Sequence, residues 1–292
     1  MKRVQQKAKI FQSTYAKSAT LSTLVSRKLL ILVDVSIASI SASVVEQFLS
    51  KAFTKAAFIA AFVFSGAVIA APCPAPQTLS PLFKVDRVID GDTVKLEDGS
   101  RVRLTGFNTF ELKDSGWKRD YALRAKKRVI DVLPEAIQVT PWPASKDRYG
   151  RLLGNLWMGE AYLGEVLVSE GLALTVSVPP ENRLVACLTS TEWDARKSRI
   201  GVWSLSQLPE PAKTMAEGGF QHRVGVVTQV VDTTTVILDG NLRVVFPKAD
   251  PGVTVGVRYE VRGWVSRSPK SLRRNWPWTL KLNDFSNRIR VF

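Results

Sequence analysis

From Pro81 onward the chain is written as short β-type runs broken by turn residues. "LFKVDRV" (82–88), "DTVKLE" (92–97) and "RVRLTG" (101–106) follow one another closely. Asp98-Gly99-Ser100 joins the last two, which is a hairpin signal. A helical pattern then runs over "WKRDYALRAKKRVIDVL" (117–133) and stops at Pro134. "IQVT" (137–140) and "RLLGNLWM" (151–158) read as two further strands. "EAYLGEVLVSEGLA" (160–173) reads as a second helix. A third, in "TSTEWDARKSRIGVW" (189–203), opens on cap-type residues and stops near Gly201.

Three strands, a helix, two strands and two helices predict an α+β fold, mainly β. The expected form is a five-stranded OB-type barrel buttressed by helices, over residues 80–205. Residues 204–217, "SLSQLPEPAKTMAE", carry Pro and Ser and read as a linker. β-character then returns at 223–231, 234–246 (again with an Asp-Gly turn), 257–265, 278–283 and 288–292. About five strands in 218–292 predict a second, smaller OB-like barrel.

The chain has 292 residues, 45% hydrophobic, with 13 Phe and 8 Trp, enough to build packed cores. Its 41 Lys+Arg against 26 Asp+Glu leave a formal charge of +15, a balance that favours a polyanionic partner. Part of that excess lies in residues 1–55, where nine Lys/Arg face two acids. Residues 56–71, "AAFIAAFVFSGAVIAA", are sixteen uncharged residues behind Lys51 and Lys55. The run is short for a membrane span and long enough for the core of a signal peptide. An early gene start, an uncleaved anchor and a buried helix all fit. The favoured expectation is export, cleaved after Ala70 or anchored through 56–71, with the folded part outside the cytoplasm.

Histidine and cysteine are almost absent: only His222, Cys73 and Cys187 occur. No Cys/His cluster for zinc exists, and no GxxxxGK[ST] or GxGxxG loop. A Ser-His-Asp triad would need His222, which lies far along the chain from the other candidates. Cys187 reads as a small core residue, and a bridge to Cys73 as a minor possibility. Chemistry here is left to carboxylates, arginines and a hard metal held by oxygens.

"RVIDGDTVKL" (87–96) sets Asp90 and Asp92 two residues apart on one bend. Neighbouring carboxylates resist ionising together unless a cation is near. A divalent metal answers this, and an ordinary Asp-Gly turn answers it too. Arg103 lies on the hairpin partner strand. Asn108, Thr109 and Glu111 follow it, and "KDRYGRLL" (146–153) adds Lys146, Arg148, Tyr149 and Arg151. Oxygens for a metal, a spare glutamate and two arginines are the parts of phosphodiester hydrolysis. The metal polarises the phosphoryl oxygen, a carboxylate handles water, and guanidiniums neutralise growing charge.

"VIDGDTVKL", "VRLTGFNTFE", "DRYGRLL", "LVSEGLA" and "GVWS" together resemble the thermonuclease, or staphylococcal-nuclease-like, family over about 82–205. The resemblance implies an OB barrel that cleaves DNA or RNA with calcium, by attack of water on the 5′ P–O bond. It implies Asp92, Asn108 and Thr109 as calcium ligands and Arg103, Glu111 and Arg151 as the catalytic set. Asp90 then reads as a supporting or turn-forming residue, and Tyr149, Lys146 and Arg148 as substrate contacts. Asn108 stands where the family has Asp, and Phe110 where it has Pro. The family's pocket tyrosines after "GLA" are absent; Ser177 and Pro179 stand in "LTVSVPPEN".

The expectation is therefore a calcium-dependent, exported nuclease with an accessory barrel. The rival is a catalytically weakened tandem-barrel protein of the cell envelope that only binds nucleic acid. In the second barrel, "SRSPKSLRRNWPWTLKL" (266–282) interleaves cations with tryptophans. That suits a single-stranded groove, and a basic loop followed by core tryptophans suits it equally.

Overall fold

The computed structural model describes residues 73–76, 81–179, 183–249 and 252–291. The apolar run 56–71 lies outside them. Among the described residues no helix is long and apolar enough to cross a membrane.

The first barrel opens with β1 (Leu82–Asp90), β2 (Thr93–Leu96) and β3 (Arg101–Leu104), an antiparallel meander. The β2–β3 turn is closed by Asp98, whose Oδ1 accepts the Ser100 N–H at 2.8 Å, with Gly99 at φ +86°. The short β4 (Phe107–Asn108) and helix α1 (Gly116–Val132) come next. β5 (Ala136–Lys146) and β6 (Leu152–Met158) then form a hairpin. β5 pairs with β1, and β6 closes the barrel by a parallel pairing with β3. β7 (Ala161–Tyr162), α2 (Leu163–Ser169), β8 (Leu174–Thr175) and α3 (Val185–Lys197) complete the unit, β8 pairing with β4.

Side chains alternate across the barrel wall as the pleat requires. Val94, Val102 and Leu104 point inward and are fully buried, with Leu156 and Phe107. Arg101 and Arg103, between them, point outward. Burying each such apolar side chain contributes about 1.5–3 kcal/mol.

Two helices differ from the sequence expectation. Residues 160–173 form a short strand and a seven-residue helix rather than one long helix. The cause is a backbone crossing: a Cβ on Gly171 would lie 2.3 Å from Ile200 O, and one on Gly201 2.3 Å from Glu170 O. Val202 N donates to Gly171 O at 2.9 Å across it. Helix α3 starts four residues before Thr189, so the cap-type residues fall inside it. There the Thr191 hydroxyl bonds back to Cys187 O at 3.0 Å.

Cys187 is not a free core residue. It forms a disulfide with Cys73, 5.3 Å apart at Cα, and ties the described N-terminal residues to α3.

Residues 204–217 are not a free linker either. β9 (Glu210–Pro211) pairs in parallel with β10 (Gly219–Asp232), and Ala212 and Met215 are buried in the second core. The second barrel continues with β11 (Thr235–Leu238), β12 (Leu242–Val245), β13 (Arg258–Arg267) and β14 (Trp278–Lys281). β10 pairs with β11 and β13, and β12 with β14 in parallel, so this barrel closes in the same way. β15 (Arg288–Val291) flanks β13. Trp278 of the basic-aromatic stretch is a core residue, capped by Arg267 at 4.1 Å.

The barrels meet through buried polar pairs. Arg262 donates to Glu192 at 2.6 and 2.8 Å, and Arg196 to Glu260 at 2.8 Å. Ser177 and Asn287 exchange two hydrogen bonds of 2.8 Å. His222, away from the candidate catalytic residues, is buried here, its Nε2 3.0 Å from Glu260. Burial pushes its pKa down to about 4 against the opposing pull of Glu260.

Candidate active site

The bend Asp90-Gly91-Asp92 turns β1 into β2. Asp90 Oδ1 accepts the Asp92 N–H at 3.2 Å and so forms the turn. Burial raises the Asp90 carboxyl above its ordinary range, and Arg103 and Arg151 pull the other way. The central glycine is a matter of room. A Cβ on Gly91 would meet Thr109 Cγ2 at 2.6 Å and Ala125 Cβ at 2.7 Å. Only a bare backbone lets the segment after β4 and helix α1 close on this bend.

That closeness brings Asp92 to Thr109. Asp92 is 2% exposed; its Oδ2 accepts the Thr109 backbone N–H at 3.0 Å and hydroxyl at 3.1 Å. Its Oδ1 accepts the Thr93 hydroxyl at 3.1 Å and pairs with Arg103 Nη1. Arg103 Nη2 donates to Asn108 Oδ1, and Asn108 Nδ2 donates to Thr109 O at 2.5 Å. Asp92, Asn108 and Thr109 therefore converge, and one guanidinium bridges the first two. Burial, then the nearby Arg151, pushes the Arg103 pKa down to about 10.

Arg151 reaches the same cluster from the loop between β5 and β6. Its Nη1 lies 3.5 Å from the Thr93 hydroxyl, and its Nε donates to Asp147 Oδ2 at 2.7 Å. Asp147 Oδ1 also accepts the backbone N–H groups of Tyr149 and Arg151 and so shapes the loop. Burial alone would raise the Asp147 carboxyl, but these bonds hold it below its ordinary range. Tyr149 is 60% exposed, with Arg148 stacked on it at 4.8 Å and bonded to its hydroxyl at 2.7 Å. Arg148 and Lys146 stand exposed at the rim.

Glu111 follows β4 and is within electrostatic reach of Arg103. Its carboxylate makes no hydrogen bond or ion pair with another described residue, while its backbone N–H is held by Asp114 Oδ2 at 2.9 Å. Phe110 packs edge-on against Trp117 at 5.0 Å, anchoring the Glu111 turn to helix α1. Sequence reasoning gives no role to Thr93 or to the close approach at Gly91. The position of Thr93, directly after Asp92 and opposite Arg103, was the available signal for the first.

The donor chemistry answers whether these residues suit a metal. Among the described residues no three His, Cys, Asp or Glu cluster as ligands. The converging groups are instead one carboxylate, one amide oxygen and one backbone carbonyl. All are hard oxygens of the kind calcium takes, and two of them already meet a cationic guanidinium. They fit a hard divalent cation.

The family model described as staphylococcal nuclease homologue matches residues 101–205. The thermonuclease of Staphylococcus intermedius is 31% identical over 129 residues, covering 41% of this chain and 75% of that protein. The micrococcal nuclease of Shigella flexneri is 31% identical over 145 residues, covering 44% and 78%. The endonuclease YncB of Bacillus subtilis (strain 168) is 29% identical over 129 residues, covering 42% and 61%.

Proposed function

The chain belongs to the staphylococcal nuclease homologue family and is a nuclease, and from that membership we propose that it is calcium-dependent and works through the cluster around Asp92. The single observation that carries this reading is the convergence of Asp92, Arg103, Asn108, Thr109 and Arg151 on one outer edge of the first barrel.

Asp92, Asn108 Oδ1 and the Thr109 carbonyl would hold the calcium. When bound, it supplies the charge that polarises a phosphoryl oxygen. Arg103 would face the phosphate beside Arg151, which reaches it from the loop that Asp147 shapes. Their planar forks match phosphate oxygens and neutralise the charge that grows there. Glu111, with no described partner for its carboxylate, orients the attacking water and accepts its proton. Tyr149, Arg148 and Lys146 guide the chain at the rim. Asp90 keeps the turn.

We also propose export, with the folded part outside the cytoplasm, cleaved or anchored through 56–71. The Cys73–Cys187 disulfide supports this, because such bonds persist in oxidising compartments.

Plasmid digestion tests the reading. Cutting should require added calcium, stop with chelator, and fall about 100-fold or more in Glu111→Gln with oligonucleotide affinity retained. Asn108, which removes a ligand charge, favours a second reading, a weakened protein that only binds nucleic acid. Chelator-insensitive binding without cutting, indifferent to Glu111→Gln, would establish that one instead.

A further inference from the structure

The two barrels share more than their closure. On β1–β2, Val85 lies opposite Leu96, Arg87 opposite Lys95, Val88 opposite Val94 and Asp90 opposite Thr93, with register slips after Val85 and Val88. On β10–β11, Val227 lies opposite Leu238, Gln229 opposite Ile237, Val230 opposite Val236 and Asp232 opposite Thr235, with slips after Val227 and Val230. Every rung is displaced by 142 residues, from Val85 to Val227 and from Asp90 to Asp232. Even the turn is kept: Asp232 Oδ1 accepts the Thr234 N–H at 2.7 Å, as Asp90 accepts that of Asp92. Two bulges at matching rungs are specific features of a sheet, not consequences of barrel closure.

The register says which residues replace the active site. Thr234 stands at the place of Asp92. Val245, opposite Thr235, stands at the place of Arg103, opposite Thr93. Leu152 pairs with Val102 and Leu280 with Val244, so Thr279 stands at the place of Arg151. Thr279 is buried, its hydroxyl 2.7 Å from that of Ser268. All three charged groups are gone, and with them the means of hydrolysis.

Cations and an aromatic ring remain on that outer face. Arg243 holds the place of Arg101 on β12. Lys281 is exposed beside Val245. Trp264, 42% exposed, lies one rung beyond the Val265–Leu280 pair, its ring 5.3 Å from Phe220. Lys270 and Arg274 are exposed in the β13–β14 loop, the counterpart of the loop that carries Arg151, and form no ion pair with a described residue.

We propose that the second barrel is a repeat of the first that has lost hydrolysis and kept the outer face as a non-cleaving site for single-stranded nucleic acid. Arg243, Lys281, Lys270 and Arg274 take the phosphates and Trp264 stacks a base. Cations tracking a backbone beside an exposed ring are what unpaired strands require. The proposal rests on the nuclease reading for the identity of the bound chain. The Glu192–Arg262 pair holds this barrel against the cutting one, so both engage one strand.

The test uses the full chain with chelator present, which prevents cutting, and a fluorescein-labelled 30-residue oligothymidylate read by anisotropy. Lys270→Gln/Arg274→Gln/Lys281→Gln should raise Kd about tenfold and flatten the log Kd–log salt slope by about two. Trp264→Ala should weaken binding about fivefold or more. With calcium, the triple variant should cleave a dinucleotide ester, too short to span both barrels, at the normal rate. An unchanged Kd and slope overturns the proposal, as does binding lost only to anionic phosphatidylglycerol vesicles. A wild-type chain that binds the 30-mer through these residues but never cuts leaves the proposal standing and removes the nuclease reading.

Discussion

Arg262 of the second barrel and Glu192 of helix α3 form a buried two-pronged ion pair, with Nη1 and Nη2 at 2.6 and 2.8 Å from the two carboxylate oxygens. The same guanidinium donates to Thr175 O at 2.8 Å. Thr175 pairs with Phe107 on β4, and Asn108 is the next residue. The accessory barrel thus braces β8, the partner of β4, which carries Asn108 and leads into Thr109. Replacing Arg262 with Met leaves Glu192 buried, with the Thr175 N–H at 2.7 Å and Arg196 at 3.3 Å as its remaining partners. We expect a loss of about 3 kcal/mol in urea denaturation, partly restored by adding Glu192→Gln. A loss under about 1 kcal/mol would show that this pair is not what holds the barrels together.

His222 makes stability depend on pH. Its folded pKa, about 4, lies below the ordinary value of 6.5. Between those values the unfolded chain binds more protons than the folded one. Stability is therefore full above pH 6.5 and falls as pH drops toward 4, by up to about 1.4 kcal/mol per pH unit. Glu260, held down to about 2, continues the loss from pH 4.5 downward. Arg196 and Arg262 face the same ring. His222→Gln should flatten the upper part of the profile, measured by denaturation at successive pH values. A slope unchanged by that substitution would assign it to other groups.

On the proposed reading, Asn108 sets the affinity for calcium. Asn108→Asp adds a second carboxylate to the converging oxygens, and a divalent ion gains about twice as much from it as the competing guanidinium does. Calcium affinity measured by calorimetry should rise about tenfold. Weaker or equal binding would place the cation away from these oxygens.

The disulfide closes a long loop, 114 residues from Cys73 to Cys187. Cys187→Ser, or reduction of the full chain, should cost about 2–4 kcal/mol and lower the melting temperature by about 5–15 °C. Identical melting with and without reductant would mean the bond adds nothing to the folded state.

Much of this was legible beforehand because it depends on local pattern. The alternation of Val94, Val102 and Leu104 with charged neighbours announces strands, and Asp98-Gly99 announces their turn. Asp92, Arg103, Asn108, Thr109, Glu111 and Arg151 were named from residue types and the family resemblance, and all lie on or beside the first barrel's outer edge. The misreadings were of another kind. The segment 204–217 reads as a linker, and the Cys73–Cys187 bond as a minor possibility, because the partners lie distant in sequence.

The residues alone thus determined two short-stranded β units, a helix ending at Pro134 and a chemistry limited to carboxylates, arginines and oxygen-bound metal. These follow from side-chain periodicity and from which functional groups are present at all. Only the tertiary structure decided that Gly91 admits Thr109 to Asp92, that Arg103 bridges Asp92 and Asn108, and that the first hairpin of the second barrel repeats that of the first rung for rung without the charges of Asp92 and Arg103. Each of those depends on which backbone approaches which, and contacts between distant segments leave no periodic trace along a chain.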